Sequence, residues 1–461
     1  MKKVLENKIK KILNNFKGDF KIDSRDIKKG DIFVVLKGSK DHGKYYIEDA
    51  LKKGALKIIS ENTNSKYKNK IIKVSNCKIF LKEIAKFKRK KFTGKVIAVT
   101  GSVGKTSTKE QLKFFLKFEM KSQASIKSYN NELGVSLSLC NLRLNSSVAI
   151  FEIGTNNFGE IKKLTKIVKP NISIITNISS THLKYFKNIK NVAKEKYDMI
   201  NPKYNNCLET VIIPYNLKFK TYLYKILDKQ KIKIYTFGDE KKSNLVIKKI
   251  HRISKNKFLL KINYNKKNYN YKILTLAKHQ AVNSLIVILV FFILKLNIKK
   301  IFKNALYLPE LKGRGNIDKV YIFRKKTLLI DETYNASPLS MKETIKYFKE
   351  YESNKKYNKI LILGDMLELG KKEKSYHREI SNYLNVNNFF QVILFGNLIL
   401  NLYKTYKNKK NIFYFSNQKE LIKHLAKYIK KNTIILAKGS NSSSVNIFFK
   451  KLYNKELIEE K

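Results

Sequence analysis

The segment from Val96 to Ser107, Val-Ile-Ala-Val-Thr-Gly-Ser-Val-Gly-Lys-Thr-Ser, joins an apolar β-forming run to a short glycine loop ending in Lys105 and Thr106. Backbone N–H groups in such a loop, with the start of the helix that follows, bind anions. There Lys105 reaches the β- and γ-phosphates of a nucleotide, and the Thr106 hydroxyl ligates Mg²⁺. Thr100, Gly101, Ser102, Val103, Gly104 and Ser107 complete this candidate ATP or GTP site. The spacing is not that of the general P-loop, which would place glycine where Val99 stands. In a chain so rich in Lys, the Gly-Lys pair alone is a weak signal. The strand before it and the helical pattern after it, Lys109 to Phe118 with Leu112, Phe115 and Leu116, carry the reading.

Other groups fall at the ends of apolar strands, where α/β folds bind ligands. Glu152 closes the run Val148 to Glu152, and Mg²⁺ takes few, hard oxygen ligands from protein. His182 follows the run Ile172 to Ile178. Asp331, Tyr334 and Asn335 follow Leu328 to Ile330, and the stretch Leu363 to Gly370 repeats the arrangement one strand later. Arg314, between two glycines, stands out because arginine is scarce, and its planar fork suits phosphate. The stretch from Lys127 to Val135 reads as a turn and a helix start. Lys194 and Lys196 look like exposed helix lysines, and nothing in the composition separates them.

The elements that must position these groups fall into three blocks. Residues 1–88 mix short strands (Ile32 to Leu36, Lys57 to Ile59, Ile71 to Val74) with helices and end at a charged stretch, Lys86 to Lys91, that reads as a linker. Residues 89–308 alternate strands and helices as in a doubly wound parallel sheet, with a Lys/Asn-rich β excursion within Pro202 to Lys272. Residues 309–461 repeat the alternation as a Rossmann-like unit. The expectation is an α/β protein of three domains: a small mixed N-terminal one, a central P-loop-like one and a C-terminal Rossmann-like one.

Composition bounds the function. The formal net charge of +61 suggests a nucleic-acid binder. Only seven of the 97 basic residues are arginine, however, and the lysines are spread over the whole chain. Bidentate phosphate and base readout favour arginine, so the charge reads as a compositional bias that helps recruit anions. The three cysteines have neither disulfide nor metal spacing. The N-terminus, Met1 to Phe16, reads as an amphipathic helix without the apolar stretch of a signal peptide. The longest apolar run, Leu285 to Leu294, has ten residues, too few to span a bilayer. A soluble cytoplasmic protein, without membrane insertion and monomeric, is expected.

In this order and spacing the motifs resemble the Mur ligases, the ATP-dependent amide ligases of peptidoglycan precursor synthesis. The resemblance runs from Asp23-Ser-Arg25, Gly30-Asp-Ile-Phe33 and Asp41-His-Gly43 to Lys438-Gly-Ser440. It implies that the first domain holds the UDP end of the substrate near Ser24 and Arg25, with Asn130 and Asn131 as further substrate contacts. The second domain would bind ATP and the third would close over it. Thr106, Glu152, His182 and Lys196 would attend two Mg²⁺ ions. Lys196 aligns with the lysine that many members carbamylate, which would make it an oxygen ligand. His279 and Asn283 match the adenine-side motif; Arg314 would reach the γ-phosphate; Asp331, Tyr334 and Asn335 lie on the nucleotide side of the third domain. Lys105, Lys196, His182 and Arg314 would carry catalysis. The implied reaction adds D-alanyl-D-alanine to UDP-N-acetylmuramoyl-tripeptide through an acyl phosphate. Ala277, Ser136, the order Asp41-His42-Gly43 and Asn441 depart from the family pattern without removing a phosphate or metal ligand. A sibling ligase adding the third amino acid is expected to carry Asp-Asn-Pro-Arg, and none of the five prolines has that setting. A folylpolyglutamate synthase-like ligase is the other relative of this type.

Overall fold

The computed structural model describes every residue except 1, 39–40, 64, 127, 228–230, 255, 312, 352–356, 407–408 and 454–461. Lys127, the first residue of the turn read above, therefore lies outside the described residues.

Three sheets organise the chain. The first holds β1 (Phe20–Lys21), β2 (Ile32–Val34), β3 (Lys57–Ser60) and β4 (Ile71–Lys73), side by side and parallel. The second contains β5 (Lys95–Thr100), β6 (Ser122–Ala124), β7 (Val148–Glu152), β8 (Ile172–Ile175), β9 (Thr210–Pro214) and β10 (Lys233–Gly238), then a three-stranded extension of β11 (Leu245–Ser254), β12 (Lys257–Tyr264) and β13 (Lys267–Leu274). Its order is β13-β12-β11-β10-β9-β8-β5-β7-β6, with β12 alone running against the other strands, antiparallel to β11 and β13. The third runs β14-β15-β19-β16-β17-β18, from β14 (Asn316–Ile322), β15 (Lys325–Glu332), β16 (Asn358–Gly364), β17 (Gln391–Phe395), β18 (Ile412–Phe415) and β19 (Thr433–Lys438). Only β14 is antiparallel there.

The central strands read as continuous apolar runs because both their faces are covered. In β5, Val96 and Ala98 enter one core while Ile97 and Val99 enter the other. In β19, Ile434 and Leu436 face one layer, and Ile435 and Ala437 the opposite one. The β excursion within Pro202 to Lys272 is half parallel: β9 and β10 extend the main sheet before the antiparallel ribbon begins. Among the described residues no helix is long and apolar enough to cross a membrane.

One sequence expectation is corrected. Lys86 to Lys91 is not a linker but the end of a helix, Cys77–Lys91, whose Cys77, Phe80, Leu81, Ile84 and Ala85 are buried. The charge run hides a helical apolar face. Arg89 projects from this helix and donates to Val168 O at 2.6 Å and Lys169 O at 2.7 Å, at the end of the helix Glu160–Val168. The carbonyls it meets are the ones a helix end leaves without partners, so the N-terminal sheet is clamped to the central one. Arg89→Met keeps the stem and removes both bonds. It is expected to lower stability by about 1–3 kcal/mol, as for other charged hydrogen bonds to half-buried partners, read as a lower urea midpoint at unchanged slope.

Candidate functional site

The carboxyl ends of β5, β7, β8, β15 and β19 converge on one cavity of about 360 Å³ between the second and third sheets. The loop after β5 is shaped by two glycines. Gly101 has φ +147 and a Cβ there would lie 1.9 Å from Thr176 Oγ1; Gly104 has φ +89, and a Cβ would meet Asn283 Nδ2 at 2.8 Å. Any side chain would therefore clash as well as strain the backbone. Asn177, after β8, ties the loop down: Ser102 N donates to Asn177 O (3.1 Å) and Val103 N to its Oδ1 (2.9 Å). Ser102 is structural as well, its hydroxyl bonded to the backbone of Ser179. The anion donors left are the opening N–H groups of the helix Lys105–Leu116, which have no partner inside a helix. The Thr100 hydroxyl is buried without a partner among the described residues.

Around that helix start, charges pack closely. Thr106 Oγ1 donates to Glu152 Oε2 at 2.7 Å and accepts from Arg314 Nη2 at 2.9 Å. Glu152, only 1% exposed, also accepts from Asn130 Nδ2 at 2.9 Å. Lys105 Nζ donates to Gly101 O at 2.8 Å. Burial lowers its pKa, opposed by Glu152 and assisted by Arg314. Arg314 lies over the Tyr334 ring, 4.3 Å from its centroid, and its carbonyl accepts from Gln280 Nε2 at 3.1 Å. Lys196 is 2% exposed. Burial, then the neighbouring Lys105, push its pKa down to about 7. Lys194, two positions away, is exposed, so the fold separates two lysines that the sequence could not.

His182 lines the cavity with its Nδ1 2.5 Å from Glu368 Oε2, and this contact holds the Glu368 carboxyl below its usual range. His279, Tyr334 and Asn335 also line the cavity; burial lowers the His279 pKa. Asn283 is buried beside the loop, its Nδ2 3.4 Å from Ser107 Oγ. Four expected residues sit elsewhere. Asp331 accepts from Thr333 N and Oγ1, and its neighbour Glu332 faces the cavity instead. Asn131 caps the helix Glu132–Cys140 by accepting from Gly134 N. Ser24 is buried, and Arg25 is exposed and paired with Asp23 at 2.7 Å. Neither lines the open cavity of about 720 Å³ in the N-terminal domain, which is walled by Lys37, His42, Lys44, Tyr45 and Asn62.

Several supporting residues escaped the sequence reading. Lys109, fully buried one turn after Lys105, donates to Ser125 O at 3.0 Å, and Ser125 Oγ accepts from Glu152 N. Glu195, beside Lys196, accepts from Gly159 N, Ile161 N and Thr155 Oγ1. Asp365, in the stretch Leu363 to Gly370, is structural: it accepts from the N–H groups of Asn397, Leu398 and Ile399. Lys438, 2% exposed, bonds Glu332 and Asn335 O across β15 and β19.

No cluster of three or more His, Cys, Asp or Glu suited to a metal exists among the described residues. A divalent ion here would instead use Glu152, the Thr106 hydroxyl and His182, completed by phosphate and water. That sparse, oxygen-rich set suits Mg²⁺.

Comparison with known proteins agrees with this architecture. Family models described as "Mur ligase family, catalytic domain", "Mur ligase middle domain" and "Mur ligase, glutamate ligase domain" match residues 20–89, 99–291 and 320–441. The UDP-N-acetylmuramoyl-tripeptide–D-alanyl-D-alanine ligase of Rickettsia prowazekii is 35% identical over 92% of both chains. The enzyme of that name from Buchnera aphidicola (subsp. Acyrthosiphon pisum) is 32% identical over 92% of this chain and 90% of its own. The structure of a MurF ligase from Thermotoga maritima in complex with ADP superposes with a TM-score of 0.76 at 24% identity, covering 96% of this chain and 99% of that one. The chain belongs to the Mur ligase family.

Glu152→Gln keeps the shape and one acceptor oxygen, enough for either Asn130 or Thr106, but loses the charge. It is expected to fold with an unchanged thermal midpoint and to lose about 10²–10³ in divalent-dependent phosphate release, the scale of removing one electrostatic stabiliser.

Proposed function

We propose that this chain joins D-alanyl-D-alanine to UDP-N-acetylmuramoyl-tripeptide, cleaving ATP to ADP and phosphate, and so makes the pentapeptide precursor of peptidoglycan. The observation that carries the reading is the meeting of Lys105, Thr106, Glu152, His182 and Arg314 at one inter-domain cavity, in a chain 35% identical along 92% of its length to a ligase of that name.

In the first step an oxygen of the tripeptide's terminal carboxylate attacks the γ-phosphorus of ATP. The new P–O bond forms as the bond to the β-phosphate oxygen breaks, giving an acyl phosphate and ADP. In the second, the amine of the dipeptide attacks the acyl carbon. The C–N bond forms, phosphate leaves with the C–O electron pair, and the nitrogen gives up a proton. Both steps gather negative charge on phosphoryl oxygens, and stabilising it is the main catalytic task. Lys105 and Arg314 flank Thr106 and supply fixed positive charge. The helix N–H groups cradle the transferring phosphoryl group. Glu152, Thr106 and His182 would hold Mg²⁺, which would polarise the phosphoryl oxygens. His279, Asn283 and Gln280 line the nucleoside side, and the N-terminal cavity takes the UDP end. The contacts from Arg314 to Thr106 and from Glu368 to His182 join the domains over the site, which keeps water from an acyl phosphate.

Lys196 is suited to carbamylation. A neutral amine adds CO₂ to give a carbamate and one proton, and with a pKa near 7 much of this amine is neutral at physiological pH. The carbamate would add an anionic oxygen to the one that Glu152 offers.

Two measurements test this. Phosphate release from ATP is expected only when both UDP-N-acetylmuramoyl-tripeptide and D-Ala-D-Ala are present; release with a free amino acid and the dipeptide precursor would favour the sibling ligase. A ¹³C carbamate signal from labelled bicarbonate is expected to grow as pH rises through about 7 and to vanish in Lys196→Arg. A signal that survives in that variant would remove Lys196 from the site.

A further inference from the structure

His182 and Glu368 meet across the boundary between the second and third domains, and both have left-handed backbone although neither is glycine. Their φ angles are +54 and +66. Such conformations cost energy and persist only where surrounding structure enforces them, often at functional sites. The enforcing contacts are at hand. Lys184 N donates to Glu368 O at 3.1 Å. Gly370, at φ +68, packs so closely that a Cβ would lie 3.0 Å from Lys184 Cα. Tyr376 OH reaches Ser180 Oγ at 3.5 Å. The loop after β16 is thus locked onto the loop after β8, and the side-chain contact, His182 Nδ1 to Glu368 Oε2 at 2.5 Å, sits at the centre of the lock.

A carboxylate only accepts, so Nδ1 carries the hydrogen, and in the neutral ring Nε2 keeps its lone pair. His182 also lines the cavity with Thr106 and Glu152. A histidine that ligates a metal through one ring nitrogen commonly donates the other N–H to a carboxylate, which fixes its tautomer and raises its basicity. Here the carboxylate comes from a different domain, 186 residues away.

We propose that Glu368 is the positioning residue for His182, so that the metal site is completed only when the third domain is docked. This rests on the reading of Thr106, Glu152 and His182 as the metal set, and deepens it. Domain docking and divalent-ion binding are then thermodynamically linked, each strengthening the other. An enzyme built this way binds its second ligand set and closes in one event, so no charged site stands half-formed before the acceptor is enclosed.

The test uses the full chain with ADP and Mn²⁺, followed by electron paramagnetic resonance, with ¹⁵N-histidine NMR of the His182 ring. Glu368→Ala is expected to weaken the Mn²⁺ site that His182→Ala also weakens, by about 10–100-fold, and to turn the single Nδ1–H tautomer into an exchanging mixture. Glu368→Gln, whose amide oxygen still accepts, is expected to restore part of both. Tyr376→Phe, which removes a domain contact without touching the ring, is expected to keep the single Nδ1–H tautomer and to weaken Mn²⁺ binding less than Glu368→Ala does. Unchanged Mn²⁺ affinity and an unchanged tautomer in Glu368→Ala would overturn the proposal. If His182→Ala itself leaves Mn²⁺ binding intact, the metal reading fails and the proposal with it. That outcome is distinguishable, because the first leaves the His182 variant impaired and the second does not. No acceptor peptide is present in either case, so an error in the substrate assignment cannot imitate them.

Discussion

At the carboxyl ends of β5 and β7 the protein holds Lys105 and Arg314 against one buried carboxylate, Glu152, with Lys196 near enough to feel the charge of Lys105 and with the buried Glu195 beside it. Taken from water, such a set is badly balanced. Burial first, then Lys105, push the Lys196 pKa down to about 7, and Glu195 opposes them only in part. A polyanion against Lys105, Arg314 and the helix N–H groups would correct the balance, and so would the carbamate proposed at Lys196. That set of charges suits the phosphates of a nucleoside triphosphate.

The fold exists largely to hold that imbalance still. Asn177 pins the phosphate loop from the neighbouring strand. Lys109 and Ser125 fix the turn behind Glu152. Glu195 satisfies the start of the helix Glu160–Val168 beside Lys196. None of these touches the place where a phosphate would sit, yet each sets the position of a group that does. The third domain then brings Arg314, Tyr334 and Glu368 from the far side, so that the catalytic set is shared between two sheets and depends on their docking. Carboxylate activation by phosphoryl transfer requires this arrangement, because an acyl phosphate in water is lost to hydrolysis.

What the sequence could show follows from how far apart the interacting residues are. The phosphate loop is contiguous, so its strand, glycines and helix are all visible in one window. Glu152 and His182 are each marked by the strand that precedes them. Lys196 and Lys194 are two residues apart on a helix and equal in type, and only the packing of that helix buries one and exposes the other. Asp331 and Glu332 present the same ambiguity on a strand, where successive side chains point to opposite faces. The contact of His182 with Glu368 spans two domains and has no local signature. The charge run Lys86 to Lys91 misleads because lysine is abundant enough to mask the apolar stripe beneath it. Ser24 and Arg25 lie in a motif that resembles a substrate contact, but their side chains are engaged within the first domain, by Asp49 of the helix Ile47–Lys52 and by Asp23.

The central claim is that this site moves a phosphoryl group onto a carboxylate before the amide bond forms. An oxygen label decides it. UDP-N-acetylmuramoyl-tripeptide carrying ¹⁸O in its terminal carboxylate is turned over with ATP and D-Ala-D-Ala, and the released phosphate is read by mass spectrometry. The account predicts that each phosphate carries one ¹⁸O atom taken from the tripeptide. Phosphate free of label, with the ¹⁸O lost to water or kept in the peptide, would contradict it.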